Sequence, residues 1–144
     1  MMMSKDTETA RNLLETEGFT CVLCKNDEIY TTTLRGVKPL VQWLESGMDF
    51  SGFCAADKVV GKATAFLYSL LGVKEVYAHV MSKASLEVLE KAGIRVQYGK
   101  MVEYIINRKG DGICPFEEAV LNVETADAAR IAIRQKMEEL KITL

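Results

Sequence analysis

Apolar residues recur along the chain with two spacings, roughly 3.6 and 2, and the switches between them divide it into helices and strands. Ala10, Leu13 and Leu14 share one side of a helix predicted over Asp6 to Glu17, which Gly18 ends in a left-handed turn. Phe19 to Lys25 and Glu28 to Thr33 are rich in apolar and β-branched residues, and Asn26-Asp27 between them is hairpin chemistry. Val37, Leu40, Val41 and Leu44 return to the helical period, with Pro39 in the first turn and Gly47 as the stop. From Asp57, the residues Val59, Val60, Ala63, Phe66, Leu67, Leu70 and Leu71 mark a broad apolar face, and they predict a long buried helix closed by Gly72.

Val76 to Met81 is apolar on both faces, as a strand covered on both sides would be, so His79 within it is expected to be a core histidine. Ser82 opens a helix carrying Leu86, Leu89 and Ala92 that ends at Gly93. Ile94, Val96 and Tyr98 alternate with polar residues, as do Val102, Tyr104 and Ile106, so the two runs are expected to pair through a turn at Gly99-Lys100. Pro115 starts another helical stretch, and Thr125 caps a last helix that turns Ala129, Ile133, Met137 and Leu140 inward. The order predicts an α/β fold with a five-stranded mixed sheet and helices on both faces.

Composition narrows the class without naming an activity. The 144 residues, 49% hydrophobic and 26% charged, fit a single domain over residues 1–144. No apolar run is long enough to span a bilayer, and Met1 to Ala10 lacks the apolar core of a secretory signal, so a cytoplasmic location is expected and a membrane partner is not. A net charge of −2 gives no general attraction to nucleic acid. Cys21, Cys24, Cys54 and Cys114 show no secreted-type framework and are expected to be free thiols.

Three motifs add a resemblance. Asp57-Lys58-Val59-Val60-Gly61-Lys62-Ala63, Asn107-Arg108 and Gly112-Ile113-Cys114-Pro115-Phe116-Glu117, set in this order of elements, resemble the domain-of-unknown-function 1893 family, a deaminase-like family within the cytidine-deaminase superfamily. The resemblance implies a cytidine deaminase-like three-layer α/β/α sandwich. An active zinc deaminase carries His-x-Glu at one helix start and Pro-Cys-x-x-Cys at the next, because His and Cys hold the metal while Glu moves protons. Here those places fall near Asp57-Lys58-Val59 and Met81-Ser82-Lys83-Ala84-Ser85, and every key residue is replaced. No metal and no cofactor are expected.

The candidate site residues each have a plainer reading beside the functional one. Asp57 reads as a helix N-cap, or as a carboxylate facing the inherited pocket with Lys58 and Lys62 one turn apart beside it. Gly61, inside that helix, would permit a close approach. Ser82 and Ser85 keep the spacing of the missing cysteine ligands, and Ser82 alone reads as a cap. Cys114 precedes Pro115 at a helix start, where amides favour a thiolate, with Asn107 and Arg108 just upstream; its plain reading is packing. Glu117 fits the position that reaches back to its own helix start. Cys21 and Cys24 stand three apart on a strand and therefore on opposite faces, which makes a structural role the expectation.

Two functions compete. One is a metal-free domain binding a small polar, nucleotide- or nucleoside-like ligand through Asp57, Lys58, Lys62, Ser82, Ser85, Asn107, Arg108 and Cys114. The other is a metal-independent enzyme with Cys114 as nucleophile or sulfur carrier and Asp57 or Lys62 handling protons. A structural or assembly role through homo-oligomerisation is the third reading. The enzyme reading predicts that Cys114 alkylates faster than Cys21 or Cys24 near neutral pH, which peptide mapping after timed iodoacetamide labelling measures.

Overall fold

A computed structural model describes residues 3–144. Its strands form one five-stranded sheet in the order β2-β1-β3-β4-β5. The hairpin of β1 (Cys21–Lys25) and β2 (Glu28–Thr32) turns at Asn26, whose φ of 55° suits an asparagine. On its other side β1 pairs antiparallel with β3 (Cys54–Val60), and β3, β4 (Glu75–Ser82) and β5 (Arg95–Val102) run parallel. One helix, α1 (Lys5–Glu17), lies alone on one face and buries Ala10 and Leu14 against Val22, Cys24, Ala56 and Tyr77. The larger core on the opposite face lies beneath α2 (Lys38–Glu45), α3 (Lys62–Leu71) and α4 (Lys83–Lys91). There α5 (Pro115–Ala119) and α6 (Ala126–Glu139) pack on α3. The result is a three-layer α/β/α sandwich with a mixed sheet, as the sequence predicts.

Two elements differ from the sequence expectation, and their errors cancel in the strand count. Asp57, Lys58, Val59 and Val60 do not start a helix; they finish the central strand β3, and α3 begins only after Gly61. The helical spacing of Val59, Val60, Ala63 and Phe66 is accidental across that junction. Alanine, aspartate and lysine are weak strand formers, but a strand held between β1 and β4 is fixed by pairing and burial instead. The expected hairpin at Gly99-Lys100 is likewise not formed: β5 runs straight through those residues to Val102, and Tyr104 and Ile106 lie beyond the strand. Tyr98 and Lys100 pair with Ala78 and Val80 on either side of Gly99, where a Cβ would lie 2.9 Å from the His79 carbonyl oxygen. Glycine is needed there for room rather than for a turn. His79 is exposed, not buried, and Leu140 is 45% exposed at the end of α6.

Core positions advance by three residues, from Asp57 to Val60 on β3 and from Ala78 to Met81 on β4, where regular alternation would advance by two. The faces therefore slip by one residue at the level of Lys58 and His79. This slip leaves Val59 45% exposed beside the buried Asp57.

Glu75, 1% exposed at the start of β4, fastens the lone helix to the sheet. Its carboxylate accepts from the Ser4 amide (2.8 Å) and the Thr7 hydroxyl at the head of α1, and it pairs with Arg95 of β5 at 3.1 Å. Burial alone would raise this carboxyl, but the Thr7 and Ser4 hydrogen bonds and Arg95 hold it below its ordinary range. Truncating Glu75→Ala orphans the buried Thr7 hydroxyl and the half-buried Ser4 amide and should lower stability by roughly 3 kcal/mol, read as a shift of the urea midpoint at unchanged slope.

Candidate functional site

The backbone hydrogen bond from Lys58 N–H to Thr20 C=O (3.1 Å) fixes which ladder positions bring side chains together. It makes Thr20–Lys58 a hydrogen-bonded pair, so the next pair, Cys21–Asp57, is of the kind whose side chains approach most closely. Both face α3, where Tyr68 is fully buried. The Tyr68 hydroxyl donates to Asp57 Oδ2 at 2.6 Å and lies 3.0 Å from Cys21 Sγ. A tyrosine has one hydroxyl hydrogen, so with that hydrogen on Asp57 the Cys21 thiol is the donor to Tyr68. Three elements, β1, α3 and β3, thus deliver a relay from thiol through phenol to carboxyl.

Burial pushes the Asp57 carboxyl up to about 7, against the pull of hydrogen bonds from the Tyr68 hydroxyl and the Val59 and Lys58 amides. The same burial, with the Asp57 charge adding to it, holds Cys21 and Tyr68 protonated well above their ordinary values. Cys21 is therefore a neutral thiol, not a nucleophile. Asp57 alone among the three changes charge near neutral pH.

Asp57 and Cys21 open onto a cleft of about 330 Å³. Its walls are apolar: Leu34 from the loop after β2, Pro39 and Leu40 of α2, and Val59 of β3. Leu34 and Val59 are each 45% exposed. Arg35 and Lys58 border the same cleft, and Gly36, at φ 74°, turns the chain from this rim into α2. A buried carboxyl, apolar side chains and two cations are thus gathered in one place.

The remaining candidates lie elsewhere, and most are locally satisfied. Lys62 is not one helical turn from Lys58 on a common helix, because the two stand on either side of the β3–α3 junction; its ammonium donates to the Leu121 carbonyl at 3.0 Å. Ser82 caps α4 by accepting from Ser85 N–H (3.2 Å), and the Ser85 hydroxyl donates back to Ser82 C=O (2.6 Å). The Asn107 side chain closes its own loop through Asp111 at 2.8 and 3.2 Å, and Arg108 is exposed beside it. Cys114 is half-buried ahead of α5, a helix of only five residues. Cys21, Cys24 and Cys54 are all buried, so faster alkylation of Cys114 follows from access alone.

Glu117 acts differently from its expected local role. Its carboxylate crosses to the start of α3 and accepts from Lys62 N–H (2.7 Å) and Ala63 N–H (3.0 Å). Gly61, the residue before that helix, has ordinary extended backbone, and a Cβ there would lie 2.5 Å from the carboxylate. The glycine is required by this approach. The starts of α3 and α4, where the resemblance places zinc ligands, thus present Gly61-Lys62-Ala63 with a carboxylate already seated on it and two serines bonded to each other. This donor set does not suit zinc, and among the described residues no cluster of three or more His, Cys, Asp or Glu is placed to hold a metal ion.

Sequence reasoning found Asp57 and Lys58 but missed Tyr68, Cys21, Arg35 and Leu34. One signal was present: a tyrosine hydroxyl inside the run Phe66 to Leu71, apolar apart from Ser69, needs a buried partner. Cys21 and the loop residues become visible only through strand register.

A fold of this shape occurs in a family whose function is itself undefined. The family model described as Domain of unknown function (DUF1893) matches residues 9–137, and the chain belongs to that family. The crystal structure of a DUF1893 family protein from Thermotoga maritima has the same fold, with a TM-score of 0.83 at 23% identity, covering 96% of this chain and 92% of that one. The dCMP deaminase of cyanophage S-TIM5 is more distant. Its apo form gives a TM-score of 0.47 at 16% identity over 70% of this chain and 100% of its own, and its complex with dCMP and dUMP gives 0.46 at 14% over 67% and 99%. A search of curated proteins finds no match. No helix among the described residues is long and apolar enough to cross a membrane.

Two stability measurements test this geometry. A raised carboxyl contributes stability that is present below its unfolded value near 3.8 and is lost as pH climbs through about 7. Asp57→Asn cannot ionise, so its stability relative to the natural chain should rise between about pH 4 and pH 7, by up to roughly 4 kcal/mol for the full displacement. Urea unfolding across that range measures the trend. Gly61→Ala should lose about 1–3 kcal/mol by displacing the Glu117 carboxylate, and Glu117→Ala, measured the same way, should cost a similar amount.

Proposed function

We propose that this protein binds a small planar polar compound of the nucleoside or nucleotide type in the Asp57 cleft, and that the cleft, rather than the helix starts, is its functional site. One observation carries the reading: an ionisable carboxyl is kept buried at the floor of an open cleft, where its charge works against the fold. A residue serving stability alone would be better as a neutral side chain. Near neutral pH such a group accepts from ring N–H or amino donors when ionised and donates to a ring nitrogen when protonated, which matches the hydrogen-bonding edge of a nucleobase. The apolar faces of Leu34, Pro39 and Val59 suit the flat sides of such a ring, and about 330 Å³ lies at the small end of ligand pockets.

Titrating cytidine, uridine, guanosine and their 5′-monophosphates at about pH 7 tests the reading. At least one should raise the melting temperature and shift the backbone amide resonances of Gly36, Leu40 and Val59. A ligand at about 100 times its Kd adds roughly 2.7 kcal/mol of stability, and Asp57→Ala should abolish the effect. If none of the six moves either signal, the cleft is not a nucleoside or nucleotide site.

A further inference from the structure

Beyond the class of ring, the cleft carries a second specification. Arg35 and Lys58 are exposed at its border, and among the described residues neither forms an ion pair, although five other ion pairs are made. The chain as a whole is acidic, with a net charge of −2, so two unpaired cations at one cleft are a local reversal of sign. They are not there to hold Asp57 in its ionised form. The groups that pull its carboxyl down are hydrogen-bond donors, namely the Tyr68 hydroxyl and the Val59 and Lys58 amides. The rim also has no acidic residue of its own to satisfy these cations: Asp57, on the floor, is the only carboxylate lining the cleft. α2, which supplies Pro39 and Leu40 to the wall, begins at Val37 without a side-chain cap and has no acidic residue in its first turn. The cleft is thus polarised, with a hydrogen-bonding acid inside and uncompensated positive charge outside.

We infer that the natural ligand is an anion, a planar ring whose polar edge meets Asp57 and whose phosphate or carboxylate group is held at the mouth by Arg35 and Lys58. This inference rests on the reading of the cleft as a ligand site. Arginine offers a planar fork that suits either kind of oxyanion, and Lys58 adds a mobile point charge, so the shared chemistry is a small oxyanion on a heterocycle.

Matched pairs separate the sources and the claims. Cytidine 5′-monophosphate is compared with cytidine, and orotate with uracil, by isothermal titration at low salt. The anionic member of at least one pair should bind about tenfold or more tightly than its neutral partner, and the pair that shows the gap identifies phosphate or carboxylate. Raising the salt to about 0.5 M should narrow the gap, because rim charges are screened. The Arg35→Ala/Lys58→Ala double variant alters only exposed side chains. It should keep the melting temperature of the natural chain and reduce the gap to less than about threefold. Equal binding of neutral and anionic members overturns the inference and leaves the cleft reading intact, as does a gap that persists in the double variant. Absence of binding by all four compounds overturns the inference, and silence of uridine, guanosine and their monophosphates as well overturns the reading itself.

Discussion

The hydrogen bond from Tyr68 to Asp57 ties the central strand to the central helix through a buried polar contact. Around it the core is apolar, and the sheet has its only parallel–antiparallel junction at β3, the strand that carries Asp57. The constraint runs outward from this contact. Tyr68 sits at a fixed depth on α3, Cys21 must stand opposite Asp57 in the ladder, and the slip in β3 then turns Val59 out towards solvent. Cleft, relay and exposed wall follow from one buried pair. The pair is also costly, since a carboxyl raised to about 7 works increasingly against the folded state as pH climbs from about 4, and in full above about 7.

Much of the fold is legible in the sequence because its signals are local. The left-handed glycines at Gly18, Gly72 and Gly93, the Ser82 and Thr125 caps and the Asn26 turn each depend on neighbours within a few residues, and each appears where the pattern puts it. What failed depended on pairing. The stretch from Cys54 to Val60 has poor strand propensity and an accidental helical phase, and only its place between two other strands makes it extended. Gly99 carries the chemistry of a turn but answers to a neighbouring carbonyl.

The site divides along the same line. Asp57 and Lys58 were visible as unusual residues, but the reason for their interest was wrong, since no helix start is involved. Their partners Cys21, Arg35 and Tyr68 are 36, 22 and 11 positions away in sequence from Asp57, and nothing short of the sheet register brings them together. Ser82, Ser85 and Asn107 illustrate the converse: residue types that often bind ligands are here occupied with one another or with their own loop. The resemblance identified the family correctly, and the helix ends it pointed to are occupied by the chain's own groups.

Glu117 explains why those ends are not the open sites they are in many α/β proteins. The amides at the start of α3 attract anions, and here the anion is part of the same chain, held in place by the packing of α5. A tethered group of this kind acts at an effective concentration on the order of millimolar or above. A free oxyanion must outcompete that standing occupant to use the helix end, whereas the rim of the Asp57 cleft has no such internal rival. The clamp thus works as a plug: it removes one general anion trap from the surface.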